Sequence, residues 1–267
     1  MSEQVNQHGF HVLQLNLDHL NFRLLKAETI FENVTKGRIG NHLVLPNKKG
    51  VPLVRTTSKY TIPPHTFSSV HLEITEAIRQ QKPSDLTDIH FNNALIEVYD
   101  STYRKMKYHS DQSLDLKPNS WVGLFSCYEH PEELNDQTKR KLKIKHKDSL
   151  EEFEIILNHQ SVVLFSLNTN AHYLHKIVLE QVTGQKPVEK ENRWLGITFR
   201  EADTFVQFKD GVALLENGKQ LTLANENEAK EFYQLRGQEN RGIDFVYPRL
   251  SYTLSIGDTL PPKKCNT

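Results

Sequence analysis

The chain has 267 residues, with 33 Lys and Arg against 33 Asp and Glu, 13 His and two Cys. That balance leaves no global positive charge for a polyanionic ligand, although a local basic stripe is still permitted. Cys127 and Cys265 form no CxxC, which argues against a disulfide framework or a structural zinc finger. The sequence shows no apolar run of membrane-spanning length and no N-terminal signal pattern, so the expectation is a monomeric cytoplasmic (or nuclear) protein without membrane contact. The length suits one large domain or two small ones.

In chain order, His11 to Leu17 alternates apolar and polar residues and predicts a strand. Leu20 to Phe31 has roughly helical apolar spacing. Gly37, Gly40, Pro46 and Gly50 punctuate a turn-rich stretch around Leu43-Val44-Leu45. Val51 to Thr61 reads as a strand or loop leaving the core, and Leu72 to Gln81 as a helix stopped by Pro83. Phe91 to Tyr99 predicts a strand, followed by a polar turn over 100–104 and a return to strand over 105–109. Trp121 to Tyr128 is an apolar strand, and Glu129 to Thr138 an acidic loop.

Lys139 to Lys147 alternates Lys with Leu and Ile, the pattern of a half-buried strand with a basic outer face. Short strands follow at Phe153 to Leu157, Ser161 to Phe165, Lys176 to Leu179, Leu195 to Arg200 and Thr204 to Phe208. So many short strands with few helices predict a mainly β protein with flanking helices, best matched by a double-sheet jelly roll. Beyond it, Gly211 to Leu223 suggests a hairpin around Asn217-Gly218. Glu226 to Gln234 predicts a helix ending at Gly237, and residues 238–267 form a polar tail with apolar anchors at Phe245 to Tyr247 and Leu250 to Tyr252.

The chemistry centres on His109-Ser110-Asp111. Positions i and i+2 of an extended segment face the same way, so an imidazole and a carboxylate meet on one side. With one remote histidine they make the 2-His-1-carboxylate face that holds Fe(II) and leaves positions open for substrate and oxygen. In a chain with 13 His the pair alone is a weak signal. His172 and His175 are the candidates for the third ligand. His175 is preferred, because Ile177 and Leu179 then share its inward face. Arg193 and Arg200 flank the strand at 195–200. An arginine inside a β core needs a carboxylate partner, and a bound dicarboxylate such as 2-oxoglutarate offers two.

Together these segments resemble the AlkB-like family of Fe(II)/2-oxoglutarate-dependent dioxygenases over about residues 50 to 205. The strand Phe91 to Tyr99 looks like the one that precedes the family's His-x-Asp, and Thr169 to His175 looks like the segment ending in its distal histidine. Leu195-Gly196-Ile197-Thr198-Phe199-Arg200 is similar to its closing "NLTFR". The resemblance implies Fe(II) on His109, Asp111 and His175, and 2-oxoglutarate held by Tyr99, Arg193 and Arg200, with O2 as the co-reactant. It also implies a nucleotide lid near Arg55 and Tyr60. The implied organisation is an N-terminal extension (1–50), the dioxygenase core (51–210) and a C-terminal extension of unknown role (211–267).

Two positions depart from the family's pattern. Glu97 stands where the family has an asparagine that touches the cosubstrate; it is expected to point away or to pair with a cation. The family's arginines lie six apart, whereas Arg193 and Arg200 lie seven apart, with Trp194 in the expected place. Arg193 therefore needs a β-bulge to reach inward; otherwise another group holds the far carboxylate.

The implied reaction converts 2-oxoglutarate to succinate and carbon dioxide while hydroxylating a C–H bond. An N-methyl carbon so oxidised leaves as formaldehyde. The expected function is oxidative demethylation of alkylated bases in DNA or RNA, supported by the basic strand 139–147. The alternative is the same chemistry on a protein side chain or small molecule, with which the zero net charge agrees. A silent jelly-roll binding module is a third reading, opposed by the presence of all three ligand residues.

Overall fold

The computed structural model of the protein describes residues 5–104, 106–136, 138–180 and 191–264. Lys105, the first residue of the stretch 105–109 read as a strand, and Cys265 lie outside them. The first part of the chain forms β1 (Val5–Gln7), β2 (Phe10–Gln14), α1 (Phe22–Ala27), β3 (Glu32–Thr35), β4 (Arg38–Val44), β5 (Val51–Leu53), β6 (His65–Thr66) and α2 (Ser69–Gln81). Then come β7 (Asn93–Tyr99), β8 (Trp121–Tyr128), β9 (Lys141–His146), β10 (Glu152–Ile156), β11 (Ser161–Ser166), α3 (Leu167–His172), β12 (Tyr173–Val178) and β13 (Trp194–Arg200). The last part contributes β14 (Thr204–Lys209), β15 (Val212–Leu215), β16 (Thr222–Leu223), α4 (Glu226–Arg241) and β17 (Tyr252–Thr253).

The order β11-β8-β13-β7 makes the centre of a large antiparallel sheet. A smaller sheet, β10-β9-β12, faces it, and the His-x-Asp segment joins that sheet's edge through a His109–His175 bridge. This is the expected jelly roll. The segment read as an N-terminal extension is woven into the large sheet, where β2 pairs with β11 on one side and β4 with β7 on the other.

Period-two alternation separates two cores. Ala94, Ile96 and Val98 of β7 and Leu195, Ile197 and Phe199 of β13 face an outer cluster that α2 covers with Ile74 and Ile78. The residues between them face the space between the sheets, where Tyr99, Leu124, Leu142, Phe165, Ile177 and Trp194 pack.

Several local expectations are corrected. The stretch read as turn-rich contains the seven-residue strand β4. Its polar residues hide the alternation because they are bonded within the fold; Asn41, for example, donates to the Ile30 carbonyl at 2.9 Å. Residues 106–109 are not a strand beyond the single bridge at His109. β14 does not join the core sheet but pairs with β5 and β15.

Helix α4 runs through Gly237 to Arg241 instead of ending there. A capping box starts it, with Asn225 accepting from the Asn227 and Glu228 amides and Glu228 returning to the Asn225 amide. An interior glycine costs about 1 kcal/mol; side chains at 236, 239 and 240 offset it by docking on the core.

Two buried histidines give the fold a pH dependence. Burial, with Arg200 nearby, pushes His42 down to about 3, and burial pushes His71 down to about 4. The unfolded value is about 6.5, so on acidification the unfolded chain takes up protons that the folded chain refuses. Stability is therefore full above about pH 6.5 and falls as pH drops toward the folded values. A tenfold difference in proton affinity between the folded and unfolded chains is worth about 1.4 kcal/mol per group. Denaturant titrations are expected to show a loss on the order of several kcal/mol between neutral and weakly acid pH. His71 also accepts a bond from the Ser68 amide at 3.0 Å. His71→Gln keeps an acceptor there and should flatten part of the slope. An equally steep slope in that variant would count against this assignment.

Candidate active site

The inward residues of the jelly roll converge on one cavity. β7 contributes Leu95, Glu97 and Tyr99, and β13 contributes Thr198 and Arg200. The small sheet adds Leu142, His175 and Ile177, and the connecting segment adds His109 and Asp111. The inner cavity is about 70 Å³. It shares Arg38, Leu95, Met106, His109, Asp111 and Arg200 with an outer cavity of about 510 Å³, so the two meet at the histidine–carboxylate cluster.

The backbones of His109 and His175 are locked together. The His109 amide donates to the His175 carbonyl at 3.0 Å, and the His175 amide returns the bond at 2.6 Å. Their rings sit 4.7 Å apart by centroid. His109 Nδ1 lies 3.0 Å from the Lys107 carbonyl; as the donor there, it leaves Nε2 with a free lone pair. Burial pushes His109 down to about 3 and also lowers His175, keeping both neutral at physiological pH. His175 Nε2 is 3.7 Å from an Asp111 carboxylate oxygen. Burial alone would raise the Asp111 carboxyl, but Arg200 and both histidines hold it well below the usual range. The Asp111 main chain is clamped by Asn170 of α3, which accepts from its amide and donates to its carbonyl, each at 2.7 Å.

Arg200 donates through Nη2 to Asp111, while its buried Nε and Nη1 have no hydrogen-bond partner among the described residues. A desolvated guanidinium with two unanswered N–H groups is costly unless an anion completes it. Two neutral imidazoles, one carboxylate and this half-satisfied arginine fit Fe(II) and a 2-oxo acid.

Arg193 does not belong to this group. β13 pairs with β7 in unbroken register from Trp194–Tyr99 onward, with no bulge. Trp194 therefore points inward and Arg193, one residue earlier, outward. Arg193 Nε bonds Glu129 at 2.6 Å, and its guanidinium lies over the Phe22 ring. The Trp194 indole stacks on Tyr99 at 4.9 Å and covers Gly196, where an added Cβ would come within 2.0 Å of the indole.

Arg55 and Tyr60 are likewise not lid residues. Arg55 is buried against Asp115, with Nη2 at 2.7 Å, and donates to the Leu250 and Tyr252 carbonyls at 3.0 Å each. It ties the C-terminal tail to the core. Tyr60 is buried against His42, and its hydroxyl is 3.4 Å from Glu97.

Glu97, expected to point away or meet a cation, meets one inside the cavity. Arg38 Nε donates to it at 2.6 Å, and the Tyr99 hydroxyl donates to its other oxygen at 2.6 Å. Arg38 was not among the expected residues. It comes from β4, directly opposite Tyr99 in the β4–β7 register. The preceding Gly37, with φ +74°, makes the tight turn that presents it: an added Cβ would lie 2.3 Å from Thr102 Oγ1. Only non-local pairing reveals this residue, so no sequence pattern could flag it.

The lysines of β9 do face outward, but acids answer them. Lys141 bonds Glu154 and Glu180 at 2.7 and 2.9 Å, Lys143 meets Glu180, and Lys145 lies 3.4 Å from Glu152. The expected basic stripe is therefore a mixed-charge face. Elsewhere, His130, Glu132 and Glu133 gather at an exposed turn, a common arrangement for solvated groups.

A jelly roll whose inner cavity gathers two neutral histidines, a carboxylate and an anion-seeking arginine defines the class of non-haem oxygenases that consume a 2-oxo acid. The family model for the 2OG-Fe(II) oxygenase superfamily matches residues 47–200, more than half of the chain, and the chain belongs to that superfamily. It is accordingly an enzyme, a dioxygenase dependent on Fe(II), 2-oxoglutarate and O2. The solved structure of OsALKBH1 is similar at 15% identity, covering 74% of this chain and 99% of that one, with a TM-score of 0.46. A Pseudomonas putida prolyl-4-hydroxylase is similar at 15% identity, covering 73% and 94%, with a TM-score of 0.39. No curated protein matches. Among the described residues no helix is long and apolar enough to cross a membrane.

Proposed function

We propose that His109, Asp111 and His175 hold Fe(II), and that Arg200 receives the 2-oxo acid end of 2-oxoglutarate through its two unanswered N–H groups. Arg38, with the Tyr99 hydroxyl, takes the far carboxylate in place of Arg193. The bound metal with its cosubstrate and O2 supplies the oxidation of a substrate C–H bond to C–OH, with 2-oxoglutarate going to succinate and carbon dioxide. The protein's own part is orientation and exclusion of water, through the apolar walls Leu95, Leu124, Leu142, Phe165 and Ile177.

For the substrate we propose a protein side chain or a small molecule without phosphate charge, hydroxylated or N-demethylated in the outer cavity. The observation that carries this is charge pairing. At the cavity Arg38 is paired with Glu97, Arg200 with Asp111 and Arg236 with Glu239, and the β9 lysines are paired with acids. A phosphate backbone is bound by several cations free to displace counterions; the three arginines here are engaged, which leaves Lys107 as the one cation lining the outer cavity without an acidic partner among the described residues.

The second reading, a methylated nucleobase in DNA or RNA, is favoured by Tyr103 and Tyr108 at the outer cavity, where a base would find aromatic faces. The two readings separate by succinate release and binding measured with a single-stranded oligonucleotide carrying a methylated base, across a range of salt. The expected result is no stimulation of succinate release and no salt-dependent binding. Stimulated turnover with a steep inverse salt dependence would overturn the proposal in favour of the nucleobase.

A further inference from the structure

We infer that α4, which lies outside the residues matched by the family model, is a positioning element for the metal ligands and supplies part of the substrate cavity's wall. The inference rests on the Fe(II) reading of His109, Asp111 and His175. Among its described residues, the segment between β7 and β8 that carries two of these ligands has no strand ladder of its own, only the isolated His109–His175 and Leu116–Ala202 bridges. Its geometry must therefore come from elsewhere, because a metal site needs its ligands fixed by surrounding hydrogen bonds.

Ser110, between the two ligands, is fully buried, and α4 answers its polar groups. Its amide and hydroxyl donate to Asn240 Oδ1 at 3.1 and 3.2 Å, and its carbonyl accepts from Arg236 Nη2. Three residues on, the Ser113 amide and hydroxyl donate to Glu239 Oε1 at 2.8 and 2.7 Å. Positions 236, 239 and 240 share one helix face. Arg236 also pairs with Glu239, so the clamp brings little net charge to the metal side.

The helix is itself anchored on the small sheet. Lys147 Nζ donates to the Glu239 and Gly242 carbonyls at 2.8 Å each, at the helix's C-terminal end. Tyr247 donates to the other Glu239 oxygen at 2.7 Å. The ligand segment is thus held by Asn170 of α3 on Asp111 and by α4 on Ser110. Arg236 and Asn240 also line the outer cavity, so the same face that fixes the ligands borders the bound substrate.

The test uses the full chain and Co(II), whose visible d–d absorption reports both affinity and geometry at a 2-His-1-carboxylate site. Asn240→Ala is expected to weaken Co(II) binding about tenfold, within the range usual for loss of a group that orients a ligand, and to change the band shape. Asn240→Asp keeps an oxygen that accepts both Ser110 bonds, so it should restore the affinity and the band. Ser110→Ala, which removes one of those bonds without touching the helix, should give a smaller change of the same sign, and it carries the test if Asn240→Ala does not fold. Melting curves establish folding in each case. Wild-type affinity and spectrum in folded Asn240→Ala, or in Ser110→Ala where it serves instead, would overturn the inference. If the wild type binds no Co(II), or binds it equally well as Asp111→Ala, the Fe(II) reading fails first and the inference falls with it.

Discussion

Asp111→Ala is expected to abolish specific Fe(II) binding, with the apparent Kd for Fe(II) or Co(II) rising by more than about a hundredfold, since loss of an orienting group alone costs about 10–100-fold. The visible band formed anaerobically with Fe(II) and 2-oxoglutarate should disappear with it. The same substitution should destabilise the metal-free protein, because Arg200 loses its carboxylate partner while two of its other nitrogens are already buried without one. Removing one partner of a buried ion pair costs about 3–5 kcal/mol. The two effects are separable: metal affinity is read by titration and stability by denaturant. A folded Asp111→Ala protein that still bound Co(II) like the wild type would place the ion elsewhere, with the group of Glu132 and the half-buried His130 and Glu133 as the place to look. Asp111→Asn should lose the metal too, since the charge that complements the ion is gone while the volume stays.

What could be read from sequence was set by period and proximity along the chain. β7, β8 and β13 were legible because long apolar alternation fixes both the strand and the face of each residue. That rule sets His175 on the inward face, whereas Tyr99 and Arg200 are flagged by the family resemblance. The same rule, applied strictly, excludes Arg193: neighbouring strand residues face opposite ways, and only a bulge could have rescued it. β4 is illegible because Arg38, Asn41 and His42 break its apolar alternation, and Arg38 and Asn41 find their partners elsewhere along the chain. α4 was legible as a helix but not in length, because the reason it passes Gly237 is its contact with Ser110 and Ser113, more than a hundred residues earlier. The β9 lysines were correctly oriented, yet their glutamate partners sit on β10 and beyond β12. A charge count along one strand cannot see them.

Arg55 teaches the same lesson from the opposite side. The family resemblance implies a place for it in a nucleotide lid. In the fold it joins Asp115 to the tail at Leu250 and Tyr252, so its charge is used to hold the C-terminal segment on the core. The tail and α4 are thus fastened to the region of the ligand segment by separate polar clamps, one at Arg55 and one at Ser110. That arrangement makes residues beyond the family match part of the working enzyme.

The cosubstrate end of the cavity yields the other large effect. Glu97 lies between Arg38 and the Tyr99 hydroxyl and occupies both donors proposed to receive the far carboxylate. Two like charges about 5 Å apart at an effective dielectric near 20 repel by ~3 kcal/mol. Glu97→Gln removes that repulsion and keeps one acceptor oxygen for Arg38 while its NH2 frees the Tyr99 hydroxyl proton for the ligand, so it should tighten 2-oxoglutarate binding by roughly tenfold, allowing for solvent screening. Arg38→Met is best made in the Glu97→Gln protein, because alone it would leave a buried carboxylate without its cation. In that background it should weaken 2-oxoglutarate by about ten- to a hundredfold, the worth of a charge-assisted bond to a carboxylate. Binding of 2-oxobutyrate, which lacks the far carboxylate, should barely change. Titration of the visible band with either 2-oxo acid reads both. Equal 2-oxoglutarate affinity with and without Arg38 would return the far carboxylate to another group. A parallel loss for 2-oxobutyrate would mean that Arg38 shapes the cavity rather than reading the charge.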